Sequence, residues 1–157
     1  MRKILKLAAA ALSVAAASGM GYAVRGYTSG KECFWANCAT QPTVIKRMEC
    51  CESYCPGTWY IACVDEAIGY NPSESLKQLT WAAKTIDYAT CLTFRGDCDR
   101  AAAFFVSCAN SSNPRIAAAA RAFAGESVRL TALLNYAIEQ KRRHNEQGGR
   151  GTDESLV

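Results

Sequence analysis

Between Thr43 and Cys55 the apolar positions Val44, Met48, Cys51 and Cys55 recur at steps of four, three and four. That spacing lines one face of an α-helix. Pro56-Gly57 ends the run, because proline lacks a backbone donor and glycine opens conformations closed to other residues. From Thr58 to Ile68, Tyr60, Val64, Ala67 and Ile68 fall on one side, and Gly69 suits the position after a helix end. The opening of this run, TWYIACV, also fits a strand. The next start is sharper. Asn71 offers a capping oxygen, Pro72 takes the first helical position, and Glu74 can return a hydrogen bond to the cap. Leu76, Leu79, Ala83, Ile86 and Thr90 then carry the stripe to Phe94. Gly96 can take a positive φ, and Asp97 can cap a helix through Asn110 that packs Phe104 and Phe105. Asn113-Pro114 repeats the start signal. Ile116, Ala120, Phe123, Ser127, Leu130, Leu134 and Ala137 predict one long helix to about Arg143, with Gly125 a weak point inside it.

Short turns between successive helices make neighbours antiparallel. The expected fold is therefore all-α: an antiparallel bundle of about four to five helices in residues 43–144. Residues 24–42 read as a connector, and 145–157, which lack an apolar period, as a disordered tail.

The N-terminus changes the picture. MRKILK is basic, LAAAALSVAAA is apolar and SGMGYA is rich in small residues, the three parts of a signal peptide over residues 1–23. Cleavage fits after Ala17, Ser18 or Ala23. The alternative is an uncleaved anchor, since Leu7 to Val24 carry no charge and just reach bilayer length. A membrane contact is expected only in that case. Of the 18 basic residues, Arg2, Lys3 and Lys6 belong to the signal, and the remaining 15 face 14 acidic ones. So balanced a body offers no basic track for a phosphate backbone, which excludes nucleic acid as a partner. The chain is expected in the periplasm or secreted.

Nine cysteines follow the signal, and in an exported chain they predict a disulfide framework. Metal and haem readings lack their spacing. There is no CxxC, and His144 is the sole histidine, so no cofactor is expected. A turn between Pro56 and Gly57 sets Cys50 opposite Cys63, and a turn at Arg95 sets Cys91 near Cys98. Both pairs are expected as hairpin staples, with Cys33–Cys38 as a third. Cys51, Cys55 and Cys108 remain, and Cys108 is placed to tie the second hairpin to the first through either of the others. An odd count leaves one thiol over, free or available to a disulfide-linked dimer.

Four short stretches resemble known motifs. ECCESYC resembles the Cys-Cys-x-x-His-x-x-Cys stretch of secreted phospholipases A2. Tyr54 and Gly57 stand at the places of that family's catalytic histidine and next cysteine, which excludes the activity. Cys33-Phe34-Trp35-Ala36-Asn37-Cys38 resembles the Cys-Phe-Trp-Lys-x-Cys ring of urotensin-type and somatostatin-type peptides, with Ala36 replacing the lysine. A ring there either tucks Trp35 onto the core or presents Phe34 and Trp35 to a partner. Arg95-Gly96-Asp97, between Cys91 and Cys98, resembles the adhesion tripeptide of disintegrin-like loops. Each of its letters also serves a helix–turn–helix. Ser155-Leu156-Val157 resembles the C-terminal ligands of PDZ domains, which add a strand to a sheet edge while backbone N–H groups hold the carboxylate of Val157.

No catalytic constellation stands out. Asp65 and Glu66 are adjacent and diverge on a helix. Glu49 and Glu52 share a face beside Arg47 and read as a solvated ion-pair cluster. His144 sits beside Arg142 and Arg143 near a fraying end, a poor place to hold a nucleophile's base. The expectation is a non-catalytic exported protein acting by protein–protein contact or as a structural or envelope component. Two readings stand beside it: a small secreted toxin, effector or inhibitor presenting a stapled loop, and a redox or hydrolytic enzyme without a recognisable motif.

Overall fold

A computed structural model of the protein describes residues 26–88 and 96–148. Every regular element among them is helical: α1 Gly30–Asn37, α2 Val44–Tyr54, α3 Tyr60–Gly69, α4 Pro72–Asp87, α5 Asp97–Ala109, α6 Pro114–Gly125 and α7 Val128–Gly148. A 3-10 turn, Gly57–Trp59, leads into α3, so TWYIACV is helix and not strand. The fold is an all-α, disulfide-stapled antiparallel bundle. No helix among the described residues is long and apolar enough to cross a membrane. The expected signal segment, residues 1–23, lies outside the described residues.

Two helices exceed the expected count, each for a local reason. The first, α1, occupies the stretch read as a connector. Ser29 caps it by accepting a hydrogen bond from the Glu32 amide at 3.1 Å, while Thr28 Oγ1 donates to the Glu32 carboxylate at 2.7 Å. The second comes from a break in the long C-terminal helix. Glu126 caps the end of α6, and Ser127 starts α7, its Oγ accepting from the Leu130 amide at 3.1 Å. The same hydroxyl donates to Asp87 Oδ1 at 2.6 Å, which pins the break to the end of α4. Ile116, Ala120 and Leu130 of the expected stripe are buried, joined by Ala124 and Leu133. Past Arg143, α7 continues to Gly148, so the expected tail begins inside a helix.

The starts of α4 and α6 follow their signals. Asn71 accepts from the Glu74 amide at 3.1 Å, and Asn113 accepts from the amides of Arg115 and Ile116 at 2.9 and 3.3 Å. The return bond expected from Glu74 is absent, because its carboxylate turns to α2. Asp97 is not a cap either. It is the first residue of α5, and Gly96, at φ 62°, holds the capping position with no side-chain hydrogen bond.

Helix α5 is the axis of the fold. Ala101 to Val106 are all buried, so this helix is covered on every side, as an all-round apolar helix must be. It packs on α4, α6, α3 and α7, with Phe104 and Phe105 fully buried. One continuous apolar cluster runs from Cys33 on α1 to Leu133 on α7.

Three bridges lie between residues 33 and 63: Cys33–Cys55, Cys38–Cys50 and Cys51–Cys63. They correct two expected pairings. The turn is centred on Gly57, which takes φ 66°, so the residue opposite Cys63 is Cys51 and not Cys50. One step along a helix is a 100° rotation, and it aims Cys50 at α1 instead. Cys33 and Cys38 cannot pair, because five residues of helix separate their backbones by about 7.5 Å along the axis. Cys98 is disulfide-bonded, while Cys91, its expected partner, lies outside the described residues. A framework of this kind belongs to a protein that matures under oxidising conditions.

Cys108, expected as a tie between the hairpins, is a free buried thiol on α5. Burial pushes its pKa up to about 12 from an ordinary 9.0. The folded thiol therefore resists ionisation that the unfolded one accepts. Its contribution to stability is fully present below pH 9 and is lost as the pH rises toward 12. At neutral pH, Cys108 is expected to resist a thiol-alkylating reagent until the chain is unfolded. Stoichiometric labelling of native protein is the contrary result.

Candidate functional site

Helices α1, α2 and α3 form a frame held by the three bridges. Trp35 stands on its surface. Phe34 and Trp35 are consecutive on α1 and so point about 100° apart. Phe34 is fully buried, whereas Trp35 is 52% exposed. The indole N–H of Trp35 donates to Glu66 Oε2 on α3 at 2.8 Å. Its ring lies 5.4 Å from that of Tyr70, tilted by 47°, and Tyr70 is also exposed, at 44%. Phe34 meets both rings edge to face from below, at 5.4 and 5.8 Å.

A buried cation supports Tyr70. The Arg47 guanidinium lies 4.7 Å from the centre of the tyrosine ring, a cation–π distance, and the residue is 2% exposed. Each of its nitrogens is satisfied. Nε donates to Ala67 O at 3.5 Å and Nη1 to Gln41 O at 3.2 Å, while Nη2 pairs with the Glu74 carboxylate. The second oxygen of Glu74 accepts from the Val44 amide at 2.7 Å. One carboxylate from α4 thus joins the first turn of α2 to the cation beneath the aromatic face.

The result is a pair of half-exposed rings whose positions are set before anything binds. The hydrogen bond to Glu66, the ring contacts and the cation beneath Tyr70 remove much of the side-chain freedom that binding would otherwise remove. Apolar ring faces with a fixed polar rim suit contact with another macromolecule.

The other expected site residues are more dispersed. Phe34 does not join Trp35 at the surface, and CFWANC is helix rather than a stapled loop. Gly96 is exposed at the head of α5, and Asp97 begins that helix. Arg95, Cys91, Ser155 and Val157 lie outside the described residues. Arg47 leaves the ion-pair cluster expected around Glu49 and Glu52, because it faces the core. Glu49 meets Lys46 at 4.0 Å and Arg100 at 3.6 Å instead. Glu52 has its pKa raised, first by burial and then by Glu49. His144 is exposed on α7, beside Arg142 and Arg143. Those two arginines hold the Glu139 carboxyl down at about 2, chiefly through their hydrogen bonds to it.

Tyr70, Glu66, Arg47 and Glu74 did not emerge from the sequence as site residues. One signal was present. Arg47 is three residues after Val44 and four before Cys51, so it occupies a core position of its own helix, and a cation there requires a partner. Tyr70 carries no such mark, because its place beside Trp35 depends on how α1 crosses α3. Comparison with protein-family models, with curated proteins and with solved structures found no match.

Proposed function

We propose that this is a non-catalytic exported protein, periplasmic or secreted, that works by protein–protein contact through the Trp35–Tyr70 face. The observation that carries the reading is that two exposed aromatic rings are held in place by a buried arginine and by Glu66. Tryptophan and tyrosine are the side chains over-represented where binding energy concentrates. The bridges of α1–α3 and the central α5 serve as a rigid mount. The reading as a toxin, effector or inhibitor depended on a stapled CFWANC loop, which α1 replaces. An enzymatic reading would require a group positioned to act as acid, base or nucleophile, and the aromatic face supplies none.

The test uses the full chain with its bridges intact. A partner recovered from the protein's own compartment is titrated against wild type, Trp35→Ala and Tyr70→Ala. Each substitution is expected to weaken binding by about 2 kcal/mol, roughly thirtyfold in Kd, with the denaturation midpoint little changed because both rings are half-exposed. An unaltered Kd for Trp35→Ala refutes the assignment of this face.

A further inference from the structure

The three bridges of the frame are not independent of one another. The Sγ atoms of Cys38, Cys55 and Cys63 all lie within 4.8 Å of each other, and each belongs to a different bridge. One sulfur of every bridge thus meets the other two at a common point. The six cysteines also differ in access. Cys33, Cys38, Cys51, Cys55 and Cys63 are 0% exposed, and Cys50 is 7% exposed. Its sulfur rests 3.4 Å from Asn37 O, at the C-terminal end of α1.

We propose that these bridges form a thiol–disulfide exchange relay reached through Cys50, with a small external thiolate as its substrate. Exchange proceeds by attack of a thiolate on one sulfur of a disulfide, and access decides which sulfur is attacked. The external thiolate attacks Cys50 Sγ. A mixed disulfide forms on Cys50, the Cys38–Cys50 bond breaks, and the electron pair leaves on Cys38. The Cys38 thiolate now lies within 4.8 Å of Cys55 and Cys63. Attack on Cys55 forms Cys38–Cys55, breaks Cys33–Cys55 and releases the Cys33 thiolate. Attack on Cys63 forms Cys38–Cys63 and releases the Cys51 thiolate. Each step makes one S–S bond and breaks one, so no oxidant is needed and the external thiol is the sole co-reactant. The least buried of the six cysteines thereby communicates with bridges whose other residues are fully buried.

Two full-chain variants separate the relay from ordinary scrambling, because both remove the same bridge. Cys50→Ser leaves Cys38 as the free sulfur, inside the cluster. Cys38→Ser leaves Cys50 as the free sulfur. Each is incubated at mildly alkaline pH, quenched in acid, unfolded in denaturant, alkylated in that state and mapped without reduction, so that Cys108 is labelled in every sample as an internal reference. In Cys50→Ser the freed thiol is expected to shift from Cys38 onto Cys33 and Cys51. In Cys38→Ser it is expected to stay on Cys50. A thiol that remains on Cys38 overturns the proposal, and so does equal redistribution in both variants, which would mean exchange through unfolding. Wild type supplies a readout that does not depend on either variant folding. Treated with limiting 2-mercaptoethanol, it is expected to carry its first adduct on Cys50, and a first adduct on any other cysteine of the three bridges refutes the assigned point of access.

Discussion

Replacing Glu74 by alanine is expected to lower the unfolding free energy by about 3–5 kcal/mol, the cost of removing one partner from a buried charge pair. The Arg47 side chain is 3% exposed and that of Glu74 is 27% exposed, so most of the penalty falls on the arginine, left charged and without a counter-charge. Its remaining bonds, to the carbonyl oxygens of Ala67 and Gln41, satisfy hydrogens and not charge. The substitution also removes the acceptor for the Val44 amide, at the first turn of α2, where intrahelical partners do not exist. Arg47→Met should cost less, because a flexible apolar side chain fills much of the space and leaves no buried ion. Denaturant unfolding with the bridges intact measures both changes, and the double variant should recover part of the Glu74→Ala loss. Equal losses from the two single variants, simply adding in the double, would mean that the pair is not coupled.

The same carboxylate shows why local punctuation was legible and its consequences were not. Asn71-Pro72-Ser73-Glu74 marks a helix start, and α4 starts there, since Asn71 accepts from an amide three residues away whatever the rest of the chain does. Where the Glu74 side chain goes depends on α2 arriving with Arg47, 27 residues upstream in sequence. The cysteines divide along the same line. That they are bridged follows from number and compartment. Which pairs form turns on a rotation of 100° per residue about α2 and on whether the turn is centred at Gly57 or one half-step before it. Ser29 and Glu32 carried a cap signature as good as that of Asn71 and Glu74, but the flanking cysteines invited a small ring and concealed a helix. Ser127 was concealed in the opposite way. It falls on the apolar stripe that joins α6 to α7, and a stripe can continue in phase across a break that a serine cap creates.

The aromatic face belongs to the part that was only half legible. Trp35 drew notice because of its neighbours in sequence, yet what sets it in place is Glu66 on α3 and Tyr70 at the end of that helix. Exposure of one ring and burial of the next is a matter of helix phase. Had the Cys33–Cys38 ring formed, Phe34 and Trp35 could have faced solvent together. In α1 they cannot, and the proposed contact surface is built from two helices rather than from one loop.

That surface depends on how closely α1 approaches α3, which makes Gly30 the second position of large expected effect. A Cβ built on Gly30 would stand 2.2 Å from the carbonyl oxygen of Trp59, 2.7 Å from Ala62 Cβ and 2.9 Å from the Cys63 amide nitrogen. Two of those three atoms are backbone, and Cys63 is bridged to Cys51 on α2, so the frame cannot yield by turning a side chain. Gly30→Ala is therefore expected to cost about 3–5 kcal/mol, at the upper end for an overpacked site, as α1 is displaced from the head of α3. Gly125, where an added Cβ meets nothing within 4 Å, is the matched control, and Gly125→Ala should be neutral or slightly stabilising. The displacement also has a readout at the far end of α1. The Trp35 indole should lose its bond to Glu66 and its contact with Tyr70, seen as a change in tryptophan fluorescence at denaturant concentrations well below the unfolding transition. Wild-type stability and an unchanged Trp35 signal in Gly30→Ala would mean that α1 does not rest on the Trp59 carbonyl, and the aromatic face would lose the close helix contact that sets it.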